Sequence, residues 1–230
     1  PSITSLLWTI NPKKNDTIWD LAIHTFHGRD HVIETLRDEP HPALRFRIGA
    51  KSFFQTNPQQ AQRMYEVTRA LADLRETDLV HDLYCGAGSI TLFLARHARR
   101  VVGAEIVPEA VDDARINAAA NGITNVAFEA GDLRHLLDAG FLERNGRPDV
   151  IVTDPPRAGM HEEVVARIGE MAPRRIIYVS CNPATQARDL SLLKDRYRIT
   201  HVQPVDMFPH TYHVENVVRL EALGPNATGT

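Results

Sequence analysis

The feature that most constrains the fold of this chain is a regular alternation of short apolar runs and helix-forming stretches from residue 78 onwards. Five runs have strand character: DLVHDLYC, RVVGAEI, NVAFEA, DVIVTDPP and RRIIYVSC. Helices are predicted between and after them, near residues 89–98, 108–121, 161–171 and 184–194. Alternation of this kind predicts an α/β fold with a mostly parallel sheet and helices on both faces.

The last two apolar runs depart from this alternation. RITHVQPVDMF and HVENVVRLEAL have no helix between them and are joined by PHTY. Strands joined so closely pair antiparallel, so we expect a C-terminal β-hairpin at the edge of the sheet. Five parallel strands followed by such a hairpin are typical of a class I, Rossmann-like methyltransferase domain.

The region before residue 78 has a different pattern. Residues 1–50 alternate apolar and polar residues in short pieces, such as TIWDLAIHTF and ALRFRIGA, and predict a small β-rich piece. A helix is then expected in TNPQQAQRMYEVTRALADL, with Asn57 as its N-cap and Pro58 at its first position.

Bulk composition limits the class of protein. The chain has 230 residues, 43% of them hydrophobic and 24% charged, and contains no apolar run of the roughly 18–20 residues that a membrane helix needs. Its two cysteines, Cys85 and Cys181, form no disulfide framework, so we expect a reducing, cytoplasmic setting. The net charge of −3 argues against a broadly basic surface but leaves room for a local one. We expect a monomer without a membrane partner.

Three successive strand ends carry groups suited to a nucleoside-containing cofactor. Gly86 and Gly88 in DLYCGAGSIT allow a tight turn beside a helix N-terminus. Glu105 ends the second strand and could accept both hydroxyls of a ribose, and Asp132 follows the third strand. An NAD site would use similar parts, but Thr91 stands where the dinucleotide fingerprint has a third glycine.

The fourth and fifth strands end in candidate substrate-binding and catalytic residues. The prolines of TDPPRAG place Asp154 and Arg157 rigidly, and Arg157 stands where adenine methyltransferases carry a stacking aromatic residue. Cys181 in VSCNP ends the fifth strand at the same edge of the sheet. A strand-end cysteine is more often structural, and for Cys85 we retain that interpretation. For Cys181 the neighbouring cofactor site favours a nucleophile.

A cysteine nucleophile beside a methyl donor fits the chemistry of uracil. Carbon 5 of uracil becomes nucleophilic when a thiolate adds to carbon 6, and a base must later remove the carbon-5 proton. Glu215 in HTYHVENVV begins the final strand at the same edge and is the candidate base. The alternative for Glu215 is an exposed acid on an edge strand.

Five motifs occur in an order that resembles one family. SFFQTN, DLYCGAGSIT, DPPRAG, VSCNP and HTYHVENVVRL are similar to the RNA uracil-C5 methyltransferases that make 5-methyluridine in tRNA and 23S ribosomal RNA, over roughly residues 40–222. The resemblance implies S-adenosylmethionine as cofactor, S-adenosylhomocysteine as product and no metal. It implies the following roles: Cys181 as nucleophile, Glu215 as base, Gln55, Tyr84, Ser89, Glu105, Asp132 and Asp154 at the cofactor, and Asp154 and Arg157 at the uridine.

The resemblance also has departures. Several relatives have asparagine where this chain has Ser89. The family's N-terminal oligonucleotide-binding barrel, the TRAM domain, and the iron–sulfur cysteine cluster that often follows it have no counterpart in this sequence. We therefore predict residues 1–50 as the remnant of a central β-rich RNA-binding subdomain, 51–223 as the methyltransferase domain and 224–230 as a disordered tail.

The sequence thus predicts methylation of carbon 5 of a uridine in RNA, with 23S ribosomal RNA ranked ahead of tRNA. Three alternatives stay open: a cysteine-dependent cytosine-5 methyltransferase, an NAD-dependent oxidoreductase and a non-catalytic RNA-binding module. The cytosine enzymes need an acid at ring N3 and usually place their cysteine after a proline. Arg174 and Arg175 are candidates for phosphate contacts, with solvated surface as the more ordinary alternative.

Overall fold

A seven-stranded sheet forms the centre of the computed structural model, which describes residues 3–15, 17–18, 20–211 and 214–224. The strands are β1 Ser5–Trp8, β2 His24–Gly28, β3 His31–Asp38, β4 His41–Gly49, β5 Leu79–Leu83, β6 Arg100–Glu105, β7 Val126–Ala130, β8 Val150–Thr153, β9 Arg175–Ser180, β10 Tyr197–Val205 and β11 Glu215–Ala222. The helices are α1 Pro58–Ala72, α2 Ser89–Ala95, α3 Pro108–Ala120, α4 Leu133–Leu136, α5 Ala139–Asn145, α6 Glu162–Met171 and α7 Pro183–Ser191.

The strand order of the central sheet is β10-β11-β9-β8-β5-β6-β7. Strands β5 to β9 run parallel, whereas β11 runs antiparallel to both of its neighbours, β9 and β10. This arrangement confirms the predicted mostly parallel sheet with a C-terminal hairpin at its edge. Because β5, β6, β8 and β9 are parallel, their carboxyl ends meet at one edge, where ligands bind in such sheets.

Two apolar layers cover the sheet. One contains residues of α1, α2 and α3, such as Met64, Leu92 and Val111, and the other contains residues of α5 and α6, such as Phe141 and Val164. The strands between these layers are almost continuously apolar, as buried parallel strands require. Helices on both faces therefore bury the sheet and leave its carboxyl edge open for chemistry.

Helix α1 begins as the sequence predicted. The Asn57 side chain accepts a hydrogen bond from the Gln60 N–H at 3.3 Å, and Pro58 occupies the first turn. The Asn57 amide also donates to the Met207 carbonyl at 2.8 Å. The cap therefore fixes the start of α1 against the segment that follows β10.

Three local predictions differ from the structure. No helix was predicted between β7 and β8, where α4 and α5 are present with Asp132 and Asp138 as their N-caps. TIWDLAIHTF is extended only from His24, where β2 begins, and Trp19 within it lies outside the described residues. β10 ends at Val205 rather than at Phe208, the end of the predicted run RITHVQPVDMF, and Tyr212 of the PHTY connection is not described.

The N-terminal strands form two separate hairpins, β1–β2 and β3–β4. The second hairpin shares the core of the larger sheet, because Leu36, Leu44 and Phe46 are fully or almost fully buried in the layer that contains α1 and α3. The domain boundary at residue 50 stays a prediction. Of the predicted disordered tail only Gly224 is described.

Arg174 and Arg175 lie away from the open edge of the sheet. The prediction of solvated surface was wrong for Arg175, whereas Arg174 stays partly exposed, and a phosphate contact of either residue stays a prediction. They lie at the amino end of β9, away from its carboxyl end at Cys181. Arg175 is 7% exposed and donates to the Ala72 carbonyl at 2.5 Å, and Arg174 pairs with Asp78 at 2.5 Å. They fasten β9 to neighbouring segments.

Within the described part of the chain, no helix is both long and apolar enough to cross a bilayer.

Candidate active site

A cavity of about 700 Å³ opens at the carboxyl ends of the parallel strands. Its wall includes every site residue that the sequence predicted: Gln55, Tyr84, Ser89, Glu105, Asp132, Asp154, Arg157, Cys181 and Glu215. Strand β11 runs antiparallel to β9, so its first residue, Glu215, reaches the same edge as the last residues of the parallel strands. Topology alone thus brings these distant positions together.

The turn after β5 forms the floor of one half of this cavity. The N–H groups of Tyr84 and Cys85 both donate to the Ala104 carbonyl, at 2.9 and 3.1 Å, and the Gly88 N–H donates to the Cys85 carbonyl at 2.9 Å. Gly88 has φ +82°, and a Cβ there would lie 3.1 Å from the Ala114 Cβ. The turn therefore requires glycine at this position for both its backbone conformation and its close packing on α3.

Thr91, the residue that replaces the third glycine of a dinucleotide fingerprint, has a specific partner. Its hydroxyl donates to the Asp82 carboxyl at 2.5 Å, and both side chains are fully buried. Burial raises the pKa of Asp82 to about 7. A buried acid–hydroxyl pair beneath the turn thus stands where a dinucleotide-binding protein would have a glycine.

Cys85 has the structural role that the sequence indicated. It is 6% exposed and packs under Gly103, where an added Cβ would lie 2.8 Å from the Cys85 sulfur. Burial raises the pKa of the Cys85 thiol well above its usual value. A thiol in these surroundings stays protonated and unreactive.

Glu105 lies across the mouth of the glycine turn and makes contacts that the sequence did not predict. One carboxylate oxygen accepts the Gly86 N–H at 3.1 Å, and the other accepts the N–H groups of Ile106 and Val107 at 2.8 and 3.0 Å. A carboxylate offers about four lone-pair positions, so about one remains beside these three donors for a hydroxyl of a ligand. Glu105 therefore also holds the turn in place.

Asp132 is bound by a neighbouring residue in this structure. It caps α4 by accepting the Arg134 N–H at 3.0 Å and forms an ion pair with the Arg134 guanidinium. Hydrogen bonds from Arg134 lower the pKa of Asp132 to about 2. Any cofactor contact of this carboxylate would be made by an acid whose charge is already balanced.

Cys181, Asp154 and Glu215 form the chemical half of the cavity. Burial raises the pKa of Cys181, and the nearby carboxyl groups of Glu215 and Asp154 raise it further, whereas Arg157 lowers it. Burial also raises the pKa of Glu215, and burial together with Glu215 raises the pKa of Asp154. The cluster therefore favours protonated, uncharged groups, and Cys181 must lose a proton before it can act as a nucleophile.

The loop that carries Arg157 is fastened through its backbone. The Arg157 carbonyl accepts hydrogen bonds from the Asn182 amide and the Thr185 hydroxyl, both at 3.2 Å. Within the described residues, the exposed guanidinium of Arg157 has no hydrogen-bond or ion-pair partner. The loop is held while its charged side chain stays free to bind a ligand.

Tyr65 and Phe53 are among the residues of the cavity wall that sequence reasoning missed. Tyr65 of α1 is 3% exposed and donates from its hydroxyl to Ser89 at 3.1 Å. Phe53 lies at the rim and is 70% exposed. The helical spacing of Tyr65 is that of an ordinary core position, so no local signal marked it. An apolar pair followed by a glutamine in SFFQTN was the available signal for Phe53.

Several polar groups of the wall have no protein partner. Within the described residues, the side chains of Gln55, Tyr84, Asp154 and Glu215 make no hydrogen bond. Gln55 and Glu215 are nevertheless only 7% exposed each. Buried polar groups are usually paired, so these are prepared for the polar atoms of a ligand.

The wall is otherwise largely apolar, and it combines the glycine turn with free amide, hydroxyl and carboxyl groups. This donor set fits a nucleoside with an attached amino-acid chain. Among the described residues, no group of three histidine, cysteine or acidic side chains is placed to hold a metal ion.

Comparisons with known proteins agree on one family. The family model described as tRNA (uracil-5-)-methyltransferase matches residues 24–223. Uncharacterized RNA methyltransferases of Bacteroides thetaiotaomicron and Porphyromonas gingivalis are each 56% identical to this chain over 96% of its length. The chain spans only 48% and 47% of those two relatives.

Solved structures give the same result at the level of the fold. The tRNA (uracil-54, C5)-methyltransferase of Pyrococcus abyssi, solved with S-adenosyl-L-homocysteine, is 33% identical, with a TM-score of 0.74 over 95% of this chain and 51% of its own. Trm5b of the same organism superposes with a TM-score of 0.67 at 15% identity over 96% of this chain and 64% of its own, which supports the fold alone. Together they confirm the class I methyltransferase fold.

Proposed function

Because this chain belongs to the tRNA (uracil-5-)-methyltransferase family, we propose that it methylates carbon 5 of a uridine in RNA with S-adenosylmethionine as methyl donor. The observation that carries this proposal is the placement of Cys181 beside Asp154 and Glu215 in the cavity that also contains the glycine turn. A methyl-donor site alone would be compatible with many kinds of methylation reaction. A cysteine with a neighbouring carboxyl group supports attack on a pyrimidine.

The cofactor would occupy the half of the cavity formed by the glycine turn. Gln55, Tyr84 and Ser89 supply free or accessible polar groups there, and Glu105 and Asp132 supply carboxylates. S-adenosylmethionine, when bound, supplies a methyl group on a sulfonium centre. The largely apolar wall would exclude water from that group, which favours transfer to a carbon nucleophile.

Cys181 would start the reaction at carbon 6 of the uracil ring. Its thiolate forms a bond to carbon 6, and the electron pair of the carbon 5–carbon 6 double bond moves to give an enolate on the carbon 4 oxygen. Carbon 5 then carries the nucleophilic character that is needed to take a methyl group from S-adenosylmethionine, which would leave as S-adenosylhomocysteine. Because burial and the neighbouring carboxyl groups raise the pKa of Cys181, its thiol proton would have to pass to a base or to water before the sulfur attacks carbon 6.

Glu215 would complete the reaction. After methylation, its carboxylate removes the remaining proton from carbon 5, the double bond re-forms and the bond from carbon 6 to Cys181 breaks. Burial raises the pKa of Glu215, which makes it a stronger base than an exposed carboxylate. Asp154 and Arg157 would hold the polar edge of the ring, and the uridine would have to leave its stack to reach them.

The identity of the RNA is a separate question. The ranking of 23S ribosomal RNA ahead of tRNA stays a prediction, and the matching family and the Pyrococcus neighbour are both named for tRNA. The chain spans about half of its curated relatives, so the substrate choice of the whole protein is also part of the proposal. The two free cysteines agree with a cytoplasmic setting.

The test uses short RNAs with one 5-fluorouridine, derived from tRNA and from 23S ribosomal RNA. Fluorine cannot leave carbon 5 as a proton, so the covalent intermediate should accumulate with S-adenosylmethionine present. Intact mass spectrometry should find protein, RNA and one methyl group joined. Cys181→Ala should abolish this adduct, and Cys85→Ala, at the chain's other cysteine, should retain it.

The outcomes separate the proposal from its alternatives. An adduct that survives Cys181→Ala would refute the nucleophile. An adduct formed only with 5-fluorocytidine would favour the cytosine-5 alternative. RNA binding without any adduct would favour a non-catalytic module, and binding of NAD in place of S-adenosylhomocysteine would refute the methyltransferase assignment.

A further inference from the structure

Side chains from helix α3 and its C-cap, rather than another strand, cover one edge of strand β4. Asp113 and Asn117 of α3 and the C-cap residue Asn121, spaced four positions apart, accept the N–H groups of every second residue of β4. Asp113 accepts from Gly49 at 2.8 Å, Asn117 from Arg47 at 2.6 Å and Asn121 from Arg45 at 2.9 Å. The opposite edge of β4 pairs with β3. We call these three side chains the polar ladder.

The spacing of the polar ladder follows from the geometry of its two elements. Four residues of an α-helix rise about 6.0 Å, and two residues of an antiparallel strand rise about 6.8 Å. Side chains at every fourth helical position can therefore meet every second strand position over a short distance. The ladder satisfies backbone groups that would otherwise form an open strand edge.

Asn117 differs from the other two ladder residues. It is fully buried, and its amide N–H groups donate to two different segments, the Arg47 carbonyl at 3.0 Å and the Ala87 carbonyl at 3.1 Å. Ala87 lies between Gly86 and Gly88 in the glycine turn. The two N–H groups of one amide thus join β4 to the floor of the cofactor half of the cavity.

Asp113 connects the same strand to a second segment of the cavity wall. It accepts the Ser52 hydroxyl at 2.6 Å as well as the Gly49 N–H, and the Ser52 N–H donates to the Gly49 carbonyl at 3.1 Å. Phe53, Phe54 and Gln55 follow immediately and line the cavity. Two neighbouring turns of α3 therefore hold both the glycine turn and the start of the segment that carries Gln55.

We propose that Asn117 is a positioning residue that couples the glycine turn to β4, so that cofactor binding and order in β4 stabilise each other. The coupling is reciprocal, because a ligand that fixes the turn stabilises β4, and a fixed β4 favours the ligand. The inference rests on the proposed function only in taking S-adenosylhomocysteine as the ligand. It needs no RNA and no catalysis.

The experiment compares the wild type with Asn117→Asp and with Asn121→Asp. Aspartate keeps the shape and the acceptor oxygen of asparagine but loses both N–H donors. Asn121 is the matched control, because its amide donates to the Arg45 and Asn117 carbonyls, both at 2.7 Å, and does not reach the glycine turn. Both variants should melt below the wild type.

Calorimetry and hydrogen exchange then measure the coupling with S-adenosylhomocysteine. We expect Asn117→Asp to weaken binding about tenfold, equivalent to about 1.4 kcal/mol, and Asn121→Asp to leave it within about twofold. In the wild type the ligand should slow amide exchange in β4, residues 41–49, although the cavity wall in this region begins only at Phe53. Asn117→Asp should lose this effect and Asn121→Asp should keep it.

Equal affinities of the two variants for S-adenosylhomocysteine would overturn the proposed coupling. Amide exchange in β4 of the wild type that does not change when the ligand binds would overturn it as well. A wild type that binds no S-adenosylhomocysteine would overturn the proposed function as well. If Asn117→Asp does not fold, Asn117→Ala removes both N–H donors without introducing a buried charge or another donor and carries the same expectation.

Discussion

Replacing Asp82 by asparagine should change how the stability of this protein depends on pH. Asp82 is fully buried beneath the glycine turn, with one carboxyl oxygen bonded to the Thr91 hydroxyl at 2.5 Å. Its other oxygen, Oδ1, has no partner among the described residues. Burial, which disfavours the charged form, is the main reason that the pKa of Asp82 rises to about 7.

The sign of the effect follows from the two states. In the unfolded chain Asp82 ionises near 3.8, whereas in the folded protein it ionises near 7. Between these values the folded state holds a proton that the unfolded state has released, so the free energy of unfolding falls as the pH rises. A difference of about three pKa units at about 1.4 kcal/mol each gives a loss of about 4 kcal/mol, complete above pH 7.

The assay is reversible urea unfolding at about pH 4.5 and pH 8, followed by circular dichroism. At the lower pH, Asp82→Asn should be less stable than the wild type by about 1–3 kcal/mol, because its amide nitrogen takes the place of the unpartnered oxygen. At the higher pH, the variant should gain about 3 kcal/mol relative to the wild type, since it has no carboxyl group to ionise.

Leu83→Ala provides the control for this prediction. Leu83 is fully buried on the same strand, and its truncation should cost about 2–5 kcal/mol equally at both pH values. Parallel pH curves for Asp82→Asn and the wild type would refute the argument. They would mean that Asp82 is ionised in the folded protein.

Three further predictions concern the site and its supports. Glu215→Gln should lower kcat by about 10²–10⁴-fold and accumulate an RNA adduct that resists denaturant on gels. The control Glu221→Gln, at an acid further along β11, should do neither. Rapid turnover by Glu215→Gln would exclude Glu215 as the base. Gly103→Ala should lower the free energy of unfolding by about 1–3 kcal/mol, because the new Cβ would lie 2.7 Å from a ring carbon of Phe128. An unchanged midpoint of urea unfolding would contradict this prediction. Asn182→Ala removes one of the hydrogen bonds to the Arg157 carbonyl and should raise KM for RNA about fivefold. The affinity for S-adenosylhomocysteine should change little, whereas a general loss of folding would weaken the binding of both ligands.

The sequence was informative wherever a local pattern determines the structure. The alternation of strands and helices predicted the parallel sheet, and the order of the strand ends placed Asp154 and Cys181 at one edge. The cap at Asn57 was also readable, because its partner lies only three residues away. These features depend on neighbours in sequence or on general rules of strand connection.

Other features depend on tertiary contacts that leave no local signal. Helices α4 and α5 have four and seven residues, too short for a clear helical period. Arg175 looks like a surface residue in the sequence, but it is buried because its guanidinium donates a hydrogen bond to a carbonyl at the end of α1. The binding of Glu105 to three backbone N–H groups likewise depends on the path of the glycine turn.

The position of β11 between β9 and β10 has a consequence for the order of events during synthesis. The chain makes β10 before β11, yet β10 reaches the sheet only through β11. Until β11 is complete, β9 presents an unpaired edge that other chains could join. Insertion of β11 removes this edge and delivers Glu215 to the cavity in the same event. Pairing of β11 with β9 therefore removes the aggregation-prone edge and completes the candidate site in one step.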